Sequence, residues 1–212
     1  MAKFLGSLSA KYESNGNPGT ISTGQGDSGG KSYGIHQFAS NMGVVDKFVD
    51  WLISRGDEFS NYGKVLKNAG PVGSGAFDDK WQELANIDPG NFEGLQHEYS
   101  SQEYYSESAS QLMNRFGFDI ENRSFALKEV LFSNSIQHGP YYGAEIFRDA
   151  ANLAGKSLLI MTDQELIWHI YEVKLTDLSW SSGAPALRPG LFRRWNEERE
   201  DALNLLREEE NE

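Results

Sequence analysis

Cysteine is absent from the 212-residue chain, which excludes disulfides and thiol catalysis and lets the protein fold in any redox compartment. No apolar run approaches eighteen residues, so no membrane-spanning helix is expected. The start, Met1-Ala2-Lys3-Phe4, lacks a basic-then-apolar secretion signal. Action outside the cytoplasm would therefore need another route of delivery. Positive charge is scarce: 19 Lys and Arg stand against 31 Asp and Glu, a net charge of −12. That balance excludes the basic footprint of a nucleic-acid binder and disfavours an anionic membrane surface. Part of the excess lies in Glu208-Glu209-Glu210-Asn211-Glu212, read here as a frayed, solvated end. His36, His97, His138 and His169 show no HxxxH or HExxH spacing, so no metal site and no cofactor are expected. No Gly-Lys-Ser/Thr follows the glycines at a P-loop offset, and Ser14 and Ser32 lack a nucleophile-elbow context.

What is present is globular. Apolar residues make up 39% of the chain and aromatics 12%, enough for a sizeable core. Helical spacing dominates. Val44, Val45, Phe48, Trp51 and Leu52 share one face, and further helices are expected at about 77–84 and after Asp88-Pro89, where Asp88 caps and Pro89 takes the first position. The spacing continues through Tyr104 to Phe116. The most apolar helix, 124–136, ends at His138-Gly139-Pro140. A helix over 144–153 closes at Gly155, Thr162 and Glu165 form a capping box, and a charged helix covers 191–206. No repeat or linker divides the chain, so one domain over 1–212 is expected, built as two helical lobes flanking a cleft, and monomeric.

The chemistry-bearing stretch lies near the start. Glu13 closes the apolar run of Phe4, Leu5, Leu8 and Tyr12, where a helix would end. Asp27 lies among Gly24, Gly26, Gly29, Gly30 and Gly34, which permit tight turns. Between them Thr20-Ile21-Ser22-Thr23 reads as a short strand with Lys31-Ser32-Tyr33 as its antiparallel return. A helix end facing such a hairpin can hold two carboxyls across a groove, and an inverting glycosidase needs them roughly 6.5–9.5 Å apart. Spacing alone equally fits a turn aspartate and a solvated helix end. His169 reads as a packing residue; His138 reads as a structural hydrogen-bonding group or a groove-lining one. Tyr12, Tyr33, Phe38, Tyr141 and Tyr142 are candidates for stacking on sugar rings. Glu98, Glu107 and Glu145 read as solvated.

The pattern of Glu13, Gly26-Asp27, Ser32-Tyr33-Gly34 and Gln37 resembles the catalytic region of the lysozyme-like superfamily, in particular goose-type lysozymes. Gly26 to Gly34 and His138-Gly139-Pro140 also resemble two segments of the family-46 chitosanases. The whole chain looks most like chitosanase-related muramidases of phage lysis or tail proteins and of secretion-spike C-terminal domains. The resemblance implies a mainly α, lysozyme-like fold (α+β) with a small antiparallel β-hairpin. It implies Glu13 as general acid, Asp27 as base and Ser32 as a holder of the attacking water. Tyr33, Gln37, His138 and Tyr141 would meet substrate. The implied activity is an endo-acting hydrolase of the β-1,4 glycan of peptidoglycan. Chitosan hydrolysis, lytic transglycosylation and non-catalytic glycan binding are the alternatives. Such a protein would reach the cell wall through a phage, a holin or a secretion apparatus.

Overall fold

Three of the α-helices begin at a side-chain cap. In a computed structural model of the chain, which describes residues 5–13, 17–23, 29–183 and 185–211 (for Glu13 the backbone only), Ser74, Ser124 and Thr162 each accept a first-turn amide. They open α4 (Gly75–Ile87), α7 (Phe125–His138) and α9 (Asp163–Thr176), the last with the reciprocal Thr162–Glu165 capping box. Pro89 and Pro140 open α5 (Pro89–Ser100) and α8 (Pro140–Ala154), where a missing N–H costs nothing. Gly117 and Gly155, both left-handed, close α6 (Glu107–Phe116) and α8. The remaining helices are α1 (Ser7–Glu13), α2 (Val44–Ser54), α3 (Ser60–Ala69) and α10 (Arg188–Glu210), with a π-helical turn over Ser101–Ser106. Helix dominates, as expected.

By internal contacts the chain forms two compact units, one of Ala10–Ser100 and one of Met1–Ser9 with Ser101–Glu212. The first has an aromatic core of Tyr33, Phe38, Phe48, Phe77, Trp81, Phe92 and Tyr99. Trp81 lies edge-on to both Tyr33 and Phe92, the arrangement ring quadrupoles favour. The second unit buries Leu127, Val130, Leu131 and Phe132 of α7, Ile146 and Phe147 of α8, Leu166, Ile167 and Ile170 of α9, and Trp195 and Leu203 of α10. Helix α7 is buried nearly all round, polar Glu129, Ser133, Asn134 and Ser135 included, because α8, α9 and α10 all pack against it.

The hairpin differs in one respect from expectation. The two-stranded antiparallel sheet joins β1 (Ser32–Tyr33) to β2 (Phe38–Ala39), with Ser32 opposite Ala39 and Tyr33 opposite Phe38. The expected partner, Thr20 to Thr23, contributes an isolated bridge from Ile21 to Tyr33, although Ser22 N–H reaches Ser32 O at 2.9 Å and Gly34 N–H reaches Thr20 O at 2.8 Å. The turn from 34 to 37 is tight, and Gly34 (φ +76°) and Gln37 (φ 52°) are both left-handed. A buried Gln96 holds it: Oε1 accepts Ile35 N–H at 2.8 Å and Nε2 donates to Pro18 O at 3.1 Å. Trp81 Nε1 donates to the same carbonyl at 2.9 Å.

The acidic tail is a second correction. Helix α10 runs to Glu210, and the Glu209 carboxylate accepts the amides of Phe125 and Ala126 at 2.8 and 2.7 Å. Those are first-turn donors that α7 cannot satisfy itself, so Glu209 is a cap rather than a frayed charge.

The Gln96 clamp yields a stability prediction. Gln96→Ala orphans the Ile35 amide and is expected to cost about 1–3 kcal/mol. At this chain length that lowers the Tm by roughly 2–12 °C in a calorimetric scan. Gly34→Ala should be at least as harmful, since its Cβ would lie 2.1 Å from Gln96 Oε1 and its φ would be strained. A wild-type Tm in both variants would remove the clamp from the account of this unit.

Candidate functional site

The first group of candidate residues sits on the hairpin. Glu13 is the last residue of α1 and its side chain lies outside the described residues, as does Asp27 entirely. The described chain on either side of Asp27 is firmly placed. Ile21 bridges Tyr33, and Ser32 N–H donates to Ser22 Oγ at 2.9 Å. Lys31 Nζ donates to Gly73 O at 2.8 Å and to Asp78 at 2.5 Å. Ser32 is half-buried, and its hydroxyl has no hydrogen-bond partner among the described residues. Gln37 Nε2 donates to Gly34 O at 2.9 Å, so this side chain braces the turn that carries it.

Tyr33 is placed differently from expectation. It is 0% exposed, its ring packs against Phe77 and Trp81, and its hydroxyl donates to Asp78 Oδ1 at 2.5 Å. No face of that ring is left for a sugar. The inward register of β1 puts it there: Ser32 and Tyr33 alternate, and Tyr33 takes the core side. Next in the chain, His36 is buried with Nε2 3.2 Å from His97 Nδ1. Burial, then the neighbouring His97, holds its pKa well below the usual histidine value, and burial lowers that of His97 too.

His138 and Tyr141 belong to the other unit and share a cavity of about 810 Å³ at the junction of α7 and α8. Tyr142, Arg148, Asp149 and Trp180 line it with them. Tyr141 and Tyr142 are about half exposed (52% and 56%), and Trp180 stands edge-on to both His138 and Tyr142. Pro140 causes the grouping. It starts α8 one residue after the glycine that ends α7, so the two tyrosines fall on its first turn beside His138. The floor is polar and buried: Gln137 Oε1 accepts from Lys174 Nζ at 2.7 Å and from Trp195 Nε1 at 3.0 Å. Lys174 also stacks over the Trp195 ring at 4.8 Å. His138 Nε2 is buried without a hydrogen-bond partner, and the residue lines the cavity. His169, by contrast, bonds the Glu165 carbonyl from Nδ1 at 2.8 Å and is a packing residue.

Glu145, read from sequence as solvated, is 7% exposed and ion-paired with both Arg115 and Arg148. Arg148 also reaches Asp149 at 2.9 Å. Every carboxylate lining the cavity is therefore already neutralised. Arg115 additionally lies 4.2 Å over the Tyr141 ring, which fixes that ring from behind. Trp180 and Arg148 went unread in the sequence. A lone tryptophan in the polar loop 179–189 was the available signal.

Among the described residues, helices and one small two-stranded sheet make a lysozyme-like fold similar to that of a chitosanase. A native chitosanase from Bacillus subtilis MY002 superposes with a TM-score of 0.61 at 18% identity, covering 96% of this chain and 87% of that one. A mutant of it complexed with 6 GlcN gives 0.60 at 20% identity over the same shares. The chain belongs to the family described as type VI secretion system spike protein VgrG3-like, C-terminal, whose model matches residues 5–199. The spike protein VgrG3 of Vibrio cholerae serotype O1 (strain ATCC 39315 / El Tor Inaba N16961) is 32% identical over 174 residues, 82% of this chain. The chain spans 16% of that relative's length. No helix among the described residues is long and apolar enough to cross a membrane.

The cavity makes a pH prediction. Burial first, then the Lys174 and Arg194 cations, hold the His138 pKa down at about 2. Its imidazole is therefore neutral across the working pH range, and its NMR ring signals should not move between pH 8 and pH 4. The unfolded chain takes up that proton near 6.5, so the folded state binds fewer protons below this pH. Stability from this group is complete above about pH 6.5 and is lost as pH falls towards 2. His138→Gln should flatten that part of the Tm-against-pH curve. Ring signals that titrate near 6.5 would contradict the burial.

Proposed function

We propose that the chain is an endo-acting glycoside hydrolase of peptidoglycan, delivered to the cell wall as the C-terminal part of a secretion spike. The observation that carries the reading is the family match over 5–199, which includes both carboxyl residues of the resemblance, Glu13 and Asp27. The solved structures support the same fold, and Glu13 and the braced chain at 17–23 and 29–37 fall in one compact unit. We take the two units as working together in one glycosidase domain, 1–212.

In this mechanism Glu13 gives its proton to the glycosidic oxygen as the bond to the anomeric carbon breaks. Asp27 takes a proton from a water that attacks that carbon from the opposite face. The Ser32 hydroxyl orients the water. One product carries the new hydroxyl on the leaving sugar, and the other a hemiacetal of inverted configuration. Gln37 braces the turn that carries Tyr33 and Gly34, and His138 and Tyr141 contact glycan in the cavity of their own unit.

Paired charges favour peptidoglycan over chitosan. A polyglucosamine chain presents ammonium groups, which need unpaired carboxylates. Glu145 and Asp149, the acids of the cavity, are both held by arginines. Aromatic faces and a neutral imidazole suit the uncharged acetamido sugars of the wall. Cell-wall suspensions should therefore clear while chitosan viscosity stays nearly constant, and mass spectra of the products should show intact reducing ends. Anhydro-muramyl ends would instead mean a transglycosylase that needs Glu13 alone.

The acids divide the work unequally. Glu13→Gln removes the proton donor and should lower the rate by roughly 10²–10⁴-fold or more. Asp27→Asn should also be severe under inversion. Added azide should then restore turnover and give an azide product of inverted configuration, since azide needs no base. Both variants should melt within a few degrees of wild type. Near-normal turnover by either one would overturn the assignment of its residue.

A further inference from the structure

We propose that Glu129 is the positioning residue for the general acid, which rests on the reading of Glu13 as that acid. Glu129 lies on α7 and is 0% exposed. Its Oε1 accepts the Gly6 amide at 2.6 Å and its Oε2 accepts the Leu8 amide at 2.8 Å. Ser7 adds its own amide and hydroxyl. These are the orphan donors at the start of α1, the helix whose last residue is Glu13.

A buried carboxylate is a costly way to cap a helix. Among the described residues no lysine or arginine pairs with it, so the amides and the positive end of the helix dipole alone offset its desolvation. Burial still outweighs them and raises its pKa to about 7. Local capping needs nothing so distant, because a serine or aspartate at position 6 would serve. Position 6 is instead a left-handed glycine (φ 102°), and the acceptor comes from 123 residues away. What the distant acceptor adds is registration of α1 against α7. A helix of seven residues is too short to be stable alone, so its placement is set by whatever holds its first turn. Fixing that turn fixes the direction of the other end, where a misplacement of about 1 Å is enough to cost roughly 10²-fold in rate.

Glu129→Gln tests this, because its amide turns an NH₂ group towards donors that need an acceptor. The expected result is a kcat lower by about tenfold to 10²-fold with KM for a soluble glycan changed little, since the remaining binding groups are untouched. In Glu13→Gln the further change Glu129→Gln should have no effect on the residual rate, because there is no acid left to aim. Wild-type hydrogen exchange should show the Gly6, Ser7 and Leu8 amides protected, and the variant should lose that protection. A folded Glu129→Gln protein with wild-type kcat, or losses that multiply in the double variant, would overturn the positioning role. So would fast exchange of those three amides in the wild type. Should Glu129→Gln not fold, Glu129→Asp keeps the charge but withdraws it from the amides. It is expected to fold with lowered kcat, and a wild-type kcat there also refutes the idea. Full activity of Glu13→Gln alone would instead sink the acid assignment, while amide exchange would still decide whether Glu129 seats the helix.

Discussion

The hydrogen bond from Ile35 N–H to the buried Gln96 side chain constrains the turn on which the first unit's small sheet depends. Gln96 stands inside the aromatic core of the first unit, where an unpaired amide would be expensive, so both its ends must find partners. It finds them on two separate strips of chain, the turn after β1 and the Pro18 carbonyl. Those strips flank the segment that carries Asp27. Gly34 follows from this directly, since a side chain there would occupy the place of Gln96 Oε1. Asp78 adds a second clamp by accepting from both Lys31 and Tyr33. The short sheet is thus held by side chains from α4 and α5 rather than by its own four residues, too few to be stable alone.

Carboxylates serve as connectors in the second unit. Glu209 caps α7, Glu129 on α7 caps α1, and Asp163 accepts the Ser124 amide while pairing with Arg123. Glu198 is fully buried against Ser133 and Arg194. A net charge of −12 therefore says less about attraction of a polycation than its size suggests. Several of the acids are turned inward, where they satisfy donors on other helices.

Sequence patterning made the helices legible wherever one face is continuous or a cap is local. The Thr162–Glu165 box, the Asp88-Pro89 start and the His138-Gly139-Pro140 stop all stand where their residue chemistry requires. Helix α3 carried no such signal, because its buried face is Ser60, Gly63 and Leu66. Small residues stand there because α2 lies close: a Cβ on Gly63 would meet Val49 O at 2.7 Å. The misread acids share one cause. Glu145 and Glu209 sit among polar neighbours in the sequence, and their partners Arg115 and Phe125 come from other helices 30 and 84 positions away. Period and composition do not encode such pairings. Tyr33 could not be assigned to core or site from sequence either, because a two-residue strand gives no alternation to read.

In the proposed function the glycan meets the cavity beside Pro140. Its aromatic walls could suit many sugars, so discrimination has to come from charge. Burial first, then the Lys174 and Arg194 cations, keeps His138 from protonating, while Arg115 and Arg148 pair with Glu145. Cations placed in this way repel an ammonium twice over: they add positive potential, and they occupy the carboxylates that would have bound it. A glucosamine polymer would have to break a partly buried ion pair to make its own, with little net gain. An acetamido sugar asks only for apolar faces and for hydrogen-bonding groups such as the partnerless His138 Nε2. On the proposed reading, the acids of this cavity are kept from an ammonium by their own arginines, which leaves the site to a neutral glycan.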